Sequence, residues 1–290
     1  MLGKLPFLTE IIFVDDGSTD GTAEEVMRAH AEDARVGLIR FSRNFGHEAA
    51  ILAGLDNARG DAVVVMDADL QHPPEVILLL VSKWLAGADI VQTIRKSQAG
   101  GTFLKNLFGK FFYWLIQKLT SVAIVPGASD FFLINRKALQ QLLQCREKSR
   151  FNRGLLAWLG FDREFVEYDS DIRRRGESKY NFYRLLLLAM NAIFSFSVAP
   201  LRIGGAAGLV IVFLSILYLA FSIFIRLFTN IAVSGWASII GLITLFGGTQ
   251  LIIAWIMGEY VARIAEESRA RPHYAINFKI ETSFLRKKID

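Results

Sequence analysis

Hydrophobic positions divide the chain into two regimes. In the first, short apolar runs alternate with stretches of helical spacing; in the second, apolar residues are nearly continuous. Glu10–Val14, Val36–Phe41, Asp61–Met66 and Ala88–Thr93 read as strands, with helices predicted over Ala23–Ala31, Glu48–Ala58 and Glu75–Ala86. Further on, Phe131–Ile134 and Arg163–Asp169 read as strands and Asn152–Phe161 as a short helix closed by Gly160. Between them, Phe103, Leu107, Phe111, Trp114, Leu115 and Leu119 form a stripe at helical spacing. Strands joined by helices, without hairpin turns, predict an α/β fold with a mostly parallel, doubly wound sheet.

In the second regime, Phe182–Leu201 is interrupted by Arg184, Asn191 and Pro200, which suits amphipathic helices lying in a membrane interface. Ile203–Ile225 and Ser238–Met257 are each long enough to cross a bilayer, since ~20 apolar residues span ~30 Å. Arg184 and Arg202 precede the first span, and Arg263, Arg269 and Arg271 follow the second. The positive-inside rule then puts both flanks on the cytoplasmic side. The expected organisation is a cytoplasmic domain over 1–180, interfacial helices over 181–202, a two-span hairpin over 203–262 and a cytoplasmic tail over 263–290. Core helices of a larger soluble domain are the competing reading of the two spans. Gly204, Gly205, Gly208, Gly247 and Gly248 permit close helix packing and leave room for a homo-oligomer.

Composition sharpens this division. The chain of 290 residues is 52% hydrophobic with mean hydropathy +0.34, and the excess lies after residue 200. Its net charge is +5, and the basic residues gather near the apolar spans. That favours phosphates or anionic lipid headgroups over nucleic acid, for which no aromatic-basic module is present. The single Cys145 cannot form an internal disulfide, and Met1–Glu10 lacks the apolar core of a secretory signal.

The candidate chemistry sits where predicted strands end. Val63–Met66 runs into Asp67-Ala68-Asp69-Leu70-Gln71-His72-Pro73-Pro74, which places two carboxylates on alternate residues at a strand exit. This suits a divalent cation that must also hold a diphosphate; a pair of helix-capping aspartates is the plainer reading. Asp15 and Asp16 end the first strand, and Gly46 permits close backbone approach at a helix amino terminus, a natural anion site. Asp130, ahead of four apolar residues, is either a turn-former or a half-buried carboxylate. Arg173-Arg174-Arg175 with Ser178 and Lys179 offers donors to a phosphate, or forms a solvated basic run. His47 stands alone and reads as a loop or capping residue.

Taken in order, Val14-Asp-Asp-Gly-Ser18, Asn44-Phe-Gly46, Asp67-Ala-Asp69-Leu-Gln71-His-Pro-Pro-Glu75, Arg153–Phe161 and Arg173–Tyr180 resemble the polyprenyl-phosphate glycosyltransferases. These are inverting, A-type enzymes that include dolichyl-phosphate mannose synthase and two-span bactoprenol glucosyltransferases. The resemblance covers nearly the whole chain. It implies sugar transfer from a nucleotide sugar, UDP-glucose-like or GDP-mannose-like, to polyprenyl phosphate in the inner (cytoplasmic) membrane. Asp15, Asp16, Gly46 and Asp67 would meet the nucleotide, and Asp67, Asp69 and Gln71 would hold Mg²⁺ or Mn²⁺. Arg95, Lys105, Arg173, Ser178 and Lys179 would bind the lipid phosphate or donor diphosphate, and Asp130 and Asp69 would be the catalytic carboxylates.

At its start the chain departs from that pattern. Met1–Thr9 supplies only the tail of the helix that follows the family's usual opening strand, so the resemblance implies a domain short of its first strand. A processive polysaccharide synthase of the same fold and an inactive membrane scaffold are the competing readings. The first lacks its Gln-x-x-Arg-Trp motif here, and the second has no need of the acidic and basic clusters.

Overall fold

The computed structural model describes residues 7–95, 125, 127–148, 150–169, 197–228 and 235–283. In chain order the elements are β1 (Ile11–Asp15), α1 (Thr22–Glu32), β2 (Val36–Phe41), α2 (His47–Asn57), β3 (Ala62–Val65), α3 (Val76–Leu85) and β4 (Ile90–Arg95). They continue with β5 (Ala128–Asn135), α4 (Arg136–Leu142), α5 (Asn152–Trp158), β6 (Arg163–Tyr168), α6 (Ala199–Phe228), α7 (Trp236–Ser268) and β7 (Ile276–Ile280).

The expected α/β class holds, but the sheet is mixed and divided. One sheet has the order β1-β2-β7 and the other β3-β5-β4-β6. Among the described strands only β1 with β2 and β4 with β6 run parallel. β5 runs antiparallel to both β3 and β4, and β7 antiparallel to β2. Strand–helix alternation fixes a parallel direction only for strands joined by crossover helices. β5 and β7 enter from the other end, so they break the pattern. Helix α2 packs against β1 of one sheet and β3 of the other.

The direction of β5 decides where the chemistry gathers. Its first residues lie beside the last residues of β3 and β4: Phe132 is opposite Val65, and Ala128 opposite Ile94. Asp130 therefore belongs to the edge at which β3 and β4 end. The strand is central and buried over Asp130–Ile134, and its side chains alternate between two layers. Phe132 and Ile134 pack with Ile51, Leu55, Leu139 and Leu155 from α2, α4 and α5. Phe131 and Leu133 pack on the other face with Val76 and Leu80 of α3. Each such burial contributes ~1.5–3 kcal/mol, which anchors the carboxylate's strand on both faces.

Residues 263–290, expected as a tail, contribute the last turns of α7 and strand β7. Ile276, Phe278 and Ile280 alternate with polar residues, the period of a strand with one packed face. Leading into it, Tyr274 stacks on Phe41 at 5.0 Å and donates its hydroxyl to Asp56, which also holds Arg146. Glu267 near the end of α7 accepts the Lys148 backbone N–H at 2.5 Å. The helical hairpin is thus tied to the α/β domain at its far end.

Both long helices are apolar enough to cross a membrane, over Ala199–Ile225 and Gly241–Ser268. Leu209 and Leu251 are 74% and 72% exposed. Core helices of a soluble domain would bury such residues, so that reading loses its support. Gly204 and Gly208 face Ile253 across the hairpin, whereas Gly247 and Gly248 have no neighbour at Cβ range among the described residues.

β7 depends on a bare backbone at Gly37. A Cβ there would lie 2.7 Å from Thr282 Cγ2 and 3.0 Å from the Ile280 carbonyl oxygen. Gly37→Val is expected to destabilise the fold by ~1–3 kcal/mol and to open residues 269–283 to protease, read by thermal unfolding and peptide mapping in detergent. Gly54→Ala, whose Cβ would meet only Val14 at 3.6 Å, should leave the tail protected.

Candidate active site

At the exit of β1, two neighbouring aspartates do scaffold work. Asp15 is buried; its Oδ1 accepts the Ser18 N–H at 2.8 Å, and Arg40 Nε lies 3.3 Å from Oδ2. Asp16 accepts the Phe45 and Gly46 N–H groups, one on each oxygen, at 2.6 and 2.9 Å. The loop between them turns at Gly17, φ +75°, whose Cβ would lie 2.6 Å from the Arg43 carbonyl carbon. Asp16 and Gly46, both expected at the nucleotide, therefore fix one loop together. That loop delivers the amino end of α2.

β3 exits into Asp67. The Asp67 N–H donates to His72 Nδ1 at 3.1 Å, and the His72 ring, buried, stacks on Phe131 at 4.9 Å with Tyr168 at its edge. Burial lowers the His72 pKa, against the pull of Asp67. An imidazole whose Nδ1 accepts a hydrogen bond carries its proton on Nε2. Between these residues the chain passes through Leu70 at φ +63°, a conformation that disfavours a side chain. Asp69 Oδ1 accepts the Gln71 N–H at 3.0 Å, and Oδ2 accepts Gln71 Nε2 at 2.7 Å. The two expected ligands thus hold each other.

Asp130 stands at the mouth of β5, 8% exposed, with Arg153 of α5 clasping both its oxygens, Nε to Oδ1 at 2.9 Å. His47, the first residue of α2, reaches into the same space. Its Nε2 is 3.6 Å from Asp130 Oδ2 and 3.8 Å from Asp67 Oδ1. Burial would raise the Asp130 pKa, but His47 and Arg153 outweigh it and hold the carboxyl well below the usual carboxylate range. Asp130 in turn raises the His47 pKa, against burial and with help from Asp67. Thr93 secures the strands beneath, through Ser129 Oγ at 2.6 Å and the Phe131 carbonyl at 2.7 Å.

The structure thus brings Asp67, Asp130 and His47 together, places Asp69 and Gln71 two to four residues along the same loop, and ties Asp15 and Asp16 to the backbone of Ser18, Phe45 and Gly46. Arg95 ends β4, in register with Tyr168. Lys105, Arg173, Ser178 and Lys179 lie outside the described residues. A cavity lined by Glu10, Ile12, Gly37 and Arg59 lies at the amino ends of β1 and β2 and contains none of the expected site residues.

The family model for glycosyl transferase family 2 matches residues 5–143. The glycosyltransferase YkcC of Bacillus subtilis is 41% identical over 268 residues, covering 92% of this chain and 83% of that one. The chain belongs to glycosyl transferase family 2. It is also 40% identical over 271 residues to the bactoprenol glucosyl transferase of Shigella phage SfV, covering 93% of this chain and 88% of the relative. Among solved structures it is similar to the mannosyltransferase PcManGT of Pyrobaculum calidifontis, at 15% identity and TM-score 0.37, over 90% of this chain and 78% of that one. The chain is a glycosyltransferase.

Sequence reasoning missed three members of this glycosyltransferase cluster. In the sequence His47 reads as a loop or capping residue, and Arg153 and His72 only as parts of motifs. The available signal was position: His47 follows a glycine at a helix start, and Arg153 is the second residue of a short helix.

The Asp130 charge has a measurable signature. An aspartate whose folded pKa is depressed stabilises the fold above its unfolded value of ~3.9, and that contribution is lost as pH falls through the folded value. Asp130→Asn is therefore expected to be less stable than wild type from pH 5 to 7, with the difference shrinking below about pH 4. Thermal unfolding of both proteins across pH 2–7 checks this, and a pH-independent difference would contradict it.

Proposed function

We propose that this glycosyltransferase moves a sugar from a nucleotide sugar to the phosphate of a membrane polyprenol, inverting the anomeric centre. The observation that carries the reading is Asp67, Asp130 and His47 meeting at the exit of β3 and the mouth of β5, in a chain 40% identical to a bactoprenol glucosyl transferase and bearing two exposed apolar helices. The donor is UDP-glucose-like or GDP-mannose-like.

Among the described residues no group of three His, Cys, Asp or Glu is placed to hold a metal by itself. Mg²⁺ and Mn²⁺ take oxygen donors and are commonly held by one or two carboxylates with the rest of the shell from substrate phosphates and water. Asp67, Asp69 and the Gln71 amide oxygen would hold the ion, which when bound supplies positive charge against the donor diphosphate. Arg95, Lys105, Arg173, Ser178 and Lys179 would serve the two phosphate groups.

A phosphate monoester has its second pKa near 6 and is largely dianionic at neutral pH, so the acceptor needs placement more than deprotonation. Asp130, clasped by Arg153 and held far below neutral pKa, is a poor proton acceptor. Its role is to orient: it fixes Arg153 and also His47, which faces Asp67 as well. Arginines flanking the helices support a placement of the α/β domain on the cytoplasmic side of the inner membrane.

Asp69→Ala is expected to cut sugar incorporation into the organic phase by at least ~100-fold in the presence of Mg²⁺ or Mn²⁺, measured with radiolabelled donor and polyprenyl phosphate. Chelation of divalent ions should do the same to wild type, reversibly. Wild-type turnover by the variant would overturn the ligand assignment.

A further inference from the structure

Beside His47, α2 carries Glu48, a carboxylate to which the transfer reaction as proposed gives no task. Its Oε2 accepts the backbone N–H of Asn152 at 3.2 Å. Asn152 opens α5, and the next residue is Arg153, which clasps Asp130. Asn152 is fully buried, and its Oδ1 accepts Arg150 Nε at 2.7 Å. Arg150, buried as well, donates onward to the carbonyls of Cys145 and Leu142. The start of α5 is thus gripped from two sides, by Arg150 from its own chain segment and by Glu48 from α2.

The connection is economical in sequence. His47 faces Asp130 directly, and its neighbour Glu48 fixes the helix that brings Arg153 to the same carboxylate. Asp16, through Phe45 and Gly46, holds the loop from which both residues start. We propose that Glu48 is a positioning residue for sugar transfer, locking α5 to α2 through Asn152 so that Arg153 and His47 keep Asp130 in one orientation. The inference rests on the transferase reading above.

The charged groups around Glu48 are His47 on its own helix, Asp130 from β5, and Arg153 and Arg150 at the start of α5. Burial, then the Asp130 charge, push the Glu48 carboxyl up to about 7, against the Asn152 N–H, His47 and Arg153. Above that pH the ionised carboxylate is the stronger acceptor for Asn152 and attracts Arg153. Below it the grip loosens.

The test is steady-state transfer by the full-length protein, with polyprenyl phosphate saturating and donor varied, for wild type, Glu48→Ala and Glu48→Gln between pH 5.5 and 8.5. Glu48→Ala is expected to lose kcat by ~10–100-fold with donor KM within ~2-fold, as for loss of an outer support of a reacting group. Glu48→Gln keeps an oxygen for Asn152 and should recover most of that kcat at pH 6. It should also lack the wild-type rise in kcat near pH 7. The acceptor phosphate titrates in all three enzymes, so the difference between profiles is the readout.

Wild-type kcat in Glu48→Ala, or an unchanged rise in Glu48→Gln, would overturn the assignment. Should the alanine variant fail to fold, the glutamine profile decides alone. Absence of lipid product from wild type would count against the transferase reading, whereas product from wild type and Glu48→Ala at equal rates counts against Glu48 only.

Discussion

A carboxylate taken out of water keeps its charge only if partners replace the water, and Asp130 is held on these terms. Arg153 gives it two hydrogen bonds and His47 a nearby imidazole. Each partner needs its own support. Arg153 requires α5 to begin at Asn152, and His47 requires the loop that Asp16 closes at Phe45 and Gly46. The antiparallel run of β5 makes the meeting geometrically available, by carrying a strand's first residues to the edge at which β3 and β4 end. One buried charge thereby links β1, α2, β3, β5 and α5.

The same constraint separates two carboxylates that the sequence presents as similar. Glu48 and Asp130 lie near each other in a shared environment, yet burial raises one and cationic partners lower the other. A pair of acids pushed apart in this way divides the work: one stays charged as a fixed anchor, and the other changes charge near neutral pH.

Much of this was legible in the chain. Alternation of apolar runs marks β1 to β4 and their helices, and the Asp67–Gln71 spacing places acidic groups at a strand exit. What stayed hidden depended on direction and distance along the chain. Nothing local distinguishes a parallel β5 from an antiparallel one, because a strand buried on both faces is apolar throughout. β7 carries a clear two-residue period at Ile276, Phe278 and Ile280, but it is short and follows a long helix, so it passed as tail. Asp15 and Asp16 end a strand, but the sequence does not show that their backbone partners lie 3 to 30 residues away. His47 looked idle for the opposite reason, since both carboxylates it faces come from other strands.

The decisive property of the protein is what leaves its site attached to lipid. Full-length protein in detergent or liposomes, given polyprenyl phosphate and a set of nucleotide sugars with Mg²⁺ or Mn²⁺, should yield a lipid phosphate heavier by one sugar residue, with one nucleoside diphosphate released per lipid formed. Mass spectrometry of the extracted lipid reads this directly. Nucleotide release without a single-sugar lipid phosphate, or a polymeric product, would contradict it.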